Sequence, residues 1–235
     1  MRIVFLSALA TWTMTVPAVA QDLESAEVIV TGSRIEQDNY ERDMPAVGLR
    51  RTADFFIQKV AISGDTRDPK ERASEIRNML RQAVQIADKR GLQLAHGSYI
   101  LTPLTVANLD DVALNNDRRP DSQSVEFLVK APLDGGVGGA TAQKKIMDYI
   151  EAVPEVGRAQ MDANGEAALS VVGPDKYRLQ IAEKVMEDAR ALRDRMGADY
   201  AVSIEGLNMP VQWTAVGLSD VMLYIPYRLA VVPKP

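Results

Sequence analysis

The segment from Ala53 to Gly91 constrains the fold more than any other part of the chain, because it is punctuated at every joint. Residues 53–64, ADFFIQKVAISG, are β-prone. Phe56, Val60 and Ile62 fall on one face and Phe55 and Ile57 on the other, the period-two pattern of a strand. Gly64-Asp65 ends the run. A helix then opens with Asp68 as its N-cap, Pro69 at the first helical position and Glu71 placed to complete a capping box. Ala73, Ile76, Leu80, Ala83, Val84 and Ala87 recur at helical spacing. Arg72, Glu75, Arg77, Arg81 and Asp88 mark the opposite face. Lys89-Arg90 fall in the last turn and Gly91 supplies the stop.

Further elements follow with the same logic. Residues 92–104 read as a second strand, the polar stretch 108–122 as an exposed loop, and 124–131 (SVEFLVKA) as a third strand. The glycine run Gly135-Gly136-Val137-Gly138-Gly139 reads as a flexible connector into a helix over 142–153, closed by Pro154. Residues 156–173 read as a hairpin turning at Asn164-Gly165, a dipeptide suited to a type I′ turn. A third helix is expected from Gly173-Pro174-Asp175 to Met196, with Ala182, Val185, Met186, Ala189, Leu192 and Met196 as its buried stripe. Strands over 199–206 and 221–232 finish the chain, and Pro226 places an edge or bulge in the last one. Strands and helices mix without strict alternation. The expected class is therefore α+β, a mostly antiparallel sheet covered on one face by two long helices and one shorter one.

Residues 1–20 read as a cleavable signal peptide. Arg2 gives the positive start, Ile3 to Val16 the apolar stretch, and Ala18-Val19-Ala20 the small residues of a cleavage site, so the mature chain is expected to begin at Gln21. Residues 21–50 lead into one domain over 21–235 and contain a short β-type run, Glu27 to Gly32. The chain has no cysteine, so no lipid-anchored cysteine and no disulfide is expected, and the domain rests on its core. Export without cysteine suits the periplasm of a Gram-negative bacterium. The balance of 27 Lys+Arg against 32 Asp+Glu, net −5, argues against nucleic acid as a partner. No later stretch is apolar for long enough to span a bilayer.

Three stretches of the sequence resemble the SIMPL-domain family of exported bacterial proteins. They are ADFFIQKVAISGDTRDPKERASEI, the strands around HGSYILTPLT and SVEFLVKA, and YRLQIAEKVMEDARALRDRMGADYAVSIEGL, where a helix ends in Met-Gly and runs straight into a strand. The resemblance covers most of residues 27–233. It implies a periplasmic or outer-membrane-associated α+β protein that assembles into a homo-oligomer, with an envelope protein as a candidate partner. It implies no enzymatic activity, catalytic residue or cofactor. A shorter likeness, Glu27 to Ile35 (EVIVTGSRI), is similar to the start of a TonB-dependent receptor plug. A receptor barrel needs many alternating lipid-facing strands and no helices between them, which the following sequence does not offer.

Candidate chemistry is sparse. His96 is the only histidine, and no nucleophile motif accompanies it. With one His and no Cys, a zinc site lacks its preferred ligands. Asp110-Asp111, Asn115-Asn116-Asp117 and Asp121 are rich in oxygen, as calcium prefers, but lack EF-hand spacing and include Arg118-Arg119. The glycine run precedes a helix without the Walker spacing of its lysine. Arg50-Arg51 and Arg118-Arg119 are candidate contacts for acidic lipid or a partner. Trp213, Tyr224 and Tyr227 are candidate oligomer contacts, with ordinary packing as the alternative. No catalytic residue, metal site or cofactor is expected. The expected function is a non-enzymatic structural or interaction protein, and the alternative is a binding module for a small or amphiphilic ligand held between a sheet face and the long loop.

Overall fold

The computed structural model describes residues 27–31, 45–97, 101–117, 119 and 121–234. The expected signal peptide and its Ala20–Gln21 junction lie outside the described residues, as does Arg118. The fold is α+β, as expected: among the described residues there are three α-helices, and every strand pairing is antiparallel.

At the centre lies β3 (Phe55–Gly64), paired along its whole length with β7 (Gln123–Pro132), Phe55 opposite Pro132 and Gly64 opposite Gln123. Around this pair an eight-stranded sheet assembles in the order β1 (Glu27–Thr31), β9 (Ala168–Val172), β3, β7, β4 (Gln93–His96), β5 (Thr102–Pro103). The remaining two strands are β6 (Asn115–Asn116), on β7, and β8 (Gln160–Ala163), on β3. Phe56, Val60 and Ile62 of β3 and Val125, Phe127, Val129 and Ala131 of β7 form one buried face. Helices α1 (Pro69–Lys89) and α2 (Gly139–Ala152) close over it with Ile76, Leu80, Ala83, Ile146 and Tyr149. The Tyr149 hydroxyl donates to the Ala83 carbonyl at 3.0 Å, so the largest wholly buried side chain also finds its partner.

The start of α1 is as expected: the Asp68 carboxylate accepts from the amides of Lys70 (2.9 Å) and Glu71 (2.8 Å). Its faces differ in two places. Met79 is buried while Ala73 is only half-buried. Arg72, expected on the polar face, is 4% exposed and donates to the Thr66 carbonyl at 2.7 Å and to Gln123 at 3.2 Å, tying the helix start to β7. These two contacts satisfy two of the five N–H donors of the buried guanidinium, one on Nε and one on Nη1.

A second, smaller assembly holds the rest. Helix α3 (Arg178–Met196) packs mainly on β10 (Tyr200–Glu205) and β12 (Asp220–Tyr224) rather than on the main sheet, so the three helices do not share one face. β12 sits in a three-stranded sheet between β11 (Gln212–Ala215) and β2 (Leu49–Thr52), while β10 pairs only with β13 (Arg228–Pro233). Ile181, Val185 and Ala189 are the buried residues of α3. Met186, Leu192 and Met196, expected inside, are exposed or half-exposed, because α3 has a packed neighbour on one narrow side only.

Other expectations are corrected by long-range pairing. The segment 156–173 is not a hairpin: β8 and β9 both run antiparallel to β3, at Val60–Ser63 and at Phe55–Ile57. Asn164-Gly165 belongs to an excursion between them. The Asn164 amide donates to Lys59 at 2.8 Å, and Gln58 donates to the Gly165 carbonyl at 3.0 Å. The described residues of the stretch 92–104 contain two short strands, β4 and β5, paired with each other, instead of one. The stretch 108–122 contains a 3-10 turn, Leu109–Asp111, that buries Leu109 and Val112, and then β6. Residues 221–232 divide at Pro226 into β12 and β13, which belong to different sheets, since proline cannot donate to a ladder. β2 and β11 had no expectation attached. The glycine run is not merely a flexible connector either. A Cβ on Gly139 would lie 2.2 Å from the Leu218 carbonyl oxygen, so the turn between β11 and β12 rests on the first residue of α2.

Candidate functional site

The helix stop at Arg90-Gly91 opens one wall of an apolar cleft. Gly91 turns at φ +61°, and the chain drops Leu92 into the core before β4 pairs with β7. Leu104 then donates its amide to the Leu94 carbonyl at 2.8 Å and is itself buried. Asn108 braces this returning wall. Its Oδ1 accepts from the Thr105 amide (2.7 Å) and hydroxyl (3.0 Å), and its Nδ2 donates to the Pro103 carbonyl (2.8 Å). Between the last turn of α1, β4 and the wall 101–106 opens a cleft of about 690 Å3. Val84, Ala87, Leu92, Leu94 and Leu104 make its lining largely apolar.

One ion pair interrupts that lining. Lys130 lies on β7 between the core residues Val129 and Ala131, so alternation turns its side chain to the opposite sheet face. Its ammonium sits 2.5 Å from Glu27 of β1 and 4.1 Å from the centre of the Phe55 ring. The other Glu27 oxygen accepts from the Ser170 hydroxyl. The two charged side chains are only 7% and 16% exposed. Taking such a pair out of water costs several kcal/mol per ion, which their attraction repays only with good geometry and further hydrogen bonds. Ser170 and the Phe55 ring supply part of that compensation.

A second hollow, about 410 Å3, is polar and shallow in chemistry. Arg158 grips Asp65 with two bonds of 2.7 and 3.0 Å, beside Arg119, Ser122 and Gln160. Both partners are exposed, so the pair adds little stability.

The other residues singled out in the sequence are dispersed. His96 lies on β4 opposite Thr102, and its Nε2 is buried without a hydrogen-bond partner among the described residues. Asp110 faces Arg77 at 3.8 Å, while Asp117 accepts from Ser122 and Ser124, each at 2.7 Å. Among the described residues, no three His, Asp or Glu side chains converge on a point that could hold a metal ion. Nor is any described helix long and apolar enough to cross a membrane. Arg50 pairs with Asp220 at 3.0 Å, and Arg51 with Asp54 at 2.6 Å and with the Tyr177 hydroxyl, so both are engaged within the chain. Trp213 is half-buried against the core. Tyr224 and Tyr227 are half-buried at the end of β12 and just beyond it. Burial pushes the Tyr227 hydroxyl pKa upward, and the nearby Asp188 carboxylate of α3 adds to the rise, against a hydrogen bond with the Val47 backbone.

Glu27 and Lys130 carried no expectation as a site. The only local signal is a lysine inside the apolar run FLVKA, which the strand's alternation turns away from Val129. Compared with known families and curated proteins, the chain matches no family model and no curated protein.

Proposed function

We propose that the protein is an exported, non-enzymatic structural or interaction module of SIMPL type, working in the periplasm or at the outer membrane as a homo-oligomer. The observation that carries this reading is the apolar surface of the C-terminal arm formed by α3, β10 and β13. Met186 (37%), Met196 (49%) and Tyr200 (38%) are exposed on this arm, and Val232 (42%) is exposed on the opposite face of its two-stranded sheet. No residue of β10 or β13 is buried. The two strands have only each other as ladder partners among the described residues, and a two-stranded sheet is marginal on its own. Exposed apolar clusters of this kind mark interaction sites.

The occupant is a second copy of the chain. The residues of α3 from 183 to 188 (Glu183, Lys184, Glu187, Asp188) carry an acidic excess, and those from 190 to 195 (Arg190, Arg193, Asp194, Arg195) a basic one. Two such helices laid antiparallel about a two-fold axis place unlike charges opposite each other, the self-complementarity that an isologous interface requires. Tyr227, beside Asp188, adjoins this surface. Light scattering on the eluting protein is expected to give a mass above one chain. A double substitution of Met186→Glu and Met196→Glu should return it to one chain with its circular dichroism unchanged. A single-chain mass for the wild type at every concentration contradicts the reading.

A second reading, a binding module for a small or amphiphilic ligand, is favoured by the cleft beside β4, whose volume lies within the range of small-molecule sites. Native mass spectrometry of protein taken from its own envelope tests it. A ligand retained at one per chain supports it, and bare protein throughout opposes it.

A further inference from the structure

The charges lining the cleft cancel. Glu27 and Lys130 sit within it as a closed pair, and Asp88 and Lys89 stand exposed on the last turn of α1. Each member of the inner pair retains unused bonding capacity. The Lys130 ammonium has three N–H donors; one is directed at Glu27 and its remaining face meets the Phe55 ring. The Glu27 carboxylate has about four lone-pair sites and, among the described residues, accepts from Lys130 and Ser170.

We infer that the cleft binds a neutral single-chain amphiphile whose hydroxyl head hydrogen-bonds the Lys130–Glu27 pair while its hydrocarbon lies along Ala95, Leu101 and Pro103, which line the cleft on the sheet face of Lys130. This rests on the ligand-binding reading above and adds the class of ligand. A hydroxyl both donates and accepts, so it can give its proton to Glu27 and take one from Lys130 without breaking their contact. A carboxylate head meets Glu27 as a like charge at short range, and an ammonium head meets Lys130 in the same way. In a largely apolar site neither repulsion is relieved by water. The apolar walls account for the chain, and the electrically neutral lining accounts for the head.

The test compares three probes with the same hydrocarbon chain: monolaurin, lauric acid and laurylamine. Their binding to the full protein is followed at neutral pH by displacement of an environment-sensitive fluorophore, with native mass spectrometry for stoichiometry. Monolaurin should bind at one per chain, at least roughly tenfold tighter than either charged probe, because like charges brought together in an interface are strongly disfavoured. Glu27→Gln should remove the penalty on lauric acid and invert its order with monolaurin. Val106→Trp changes a cleft-lining residue that is half-exposed, so folding is spared, and should weaken all three probes together. Equal binding of the three probes by the wild type, lost in Val106→Trp, overturns the neutral-head inference and leaves the cleft reading standing. No binding of any probe overturns both. The wild-type ranking decides the matter even where Glu27→Gln fails to fold.

Discussion

In the main sheet, β3 is hydrogen-bonded along both edges, to β7 on one side and to β8 and β9 on the other, and α1 and α2 cover its inner face. In the C-terminal arm, β10 and β13 have only each other among the described residues, and α3 covers them in part. The sequences are similarly β-prone. What differs is the number of neighbours, and with it the amount of apolar surface removed from water. A strand such as β3 reaches complete burial at Val60 and Ile62, whereas Val232 of β13 remains 42% exposed. The first region is finished within one chain, and the second is the one that we propose a second copy completes.

The largest effect that would break this contrast is a cavity in the core. Phe127→Ala should lower the unfolding free energy by about 3–5 kcal/mol in urea titration, while Val202→Ala in the half-exposed β10 should cost under about 1 kcal/mol. Equal losses would mean that the two regions are equally packed. Next comes the joint between them. Gly139→Ala puts a methyl group against the Leu218 carbonyl and should cost about 1–3 kcal/mol through backbone displacement, read as a fall in the melting temperature.

The alkaline limb sharpens the comparison further. Burial raises the pKa of Tyr149 well above its ordinary value, opposed only by the Arg90 charge. The stabilisation tied to its neutral form is therefore complete below about pH 10. Above that pH the unfolded chain releases the proton first, and stability falls by up to about 1.4 kcal/mol per pH unit. Tyr149→Phe should flatten that part of the limb, at the cost of about 1 kcal/mol at neutral pH for the lost bond to Ala83. An unchanged slope would show that the hydroxyl is not shielded. The smallest effect belongs to the cap: Asp68→Ala should cost about 1 kcal/mol in the same titration, and no measurable loss would mean that α1 is held by packing alone.

What could be read from the sequence follows from how local each determinant is. Asp68, Pro69 and Gly91 act within a turn of themselves, and α1 begins and ends where they place it. β3 and β7 declare themselves through alternation over ten residues each. Asn164-Gly165 misleads because its turn preference competes with a whole edge of β3, and the ladder wins. Pro226 marks an interruption, but which sheets its two halves join is decided by β2 and α3, far away in the chain. Met186 and Met196 fit a helical stripe as well as Ile181 does, and only the tertiary neighbours reveal that nothing in the described chain covers them. The cleft is the least legible part. Lys130 and Glu27 are 103 positions apart and meet through the intervening strands β9 and β3, so no spacing motif could announce them.

The claim that the C-terminal arm is completed by a second copy is tested most directly by hydrogen exchange at two protein concentrations. Amides of β10, β13 and α3 should gain protection as concentration rises, while those of β3 and β7 exchange at the same slow rate in both samples. Exchange in the arm that does not change with concentration, in a protein that remains a single chain, would contradict it.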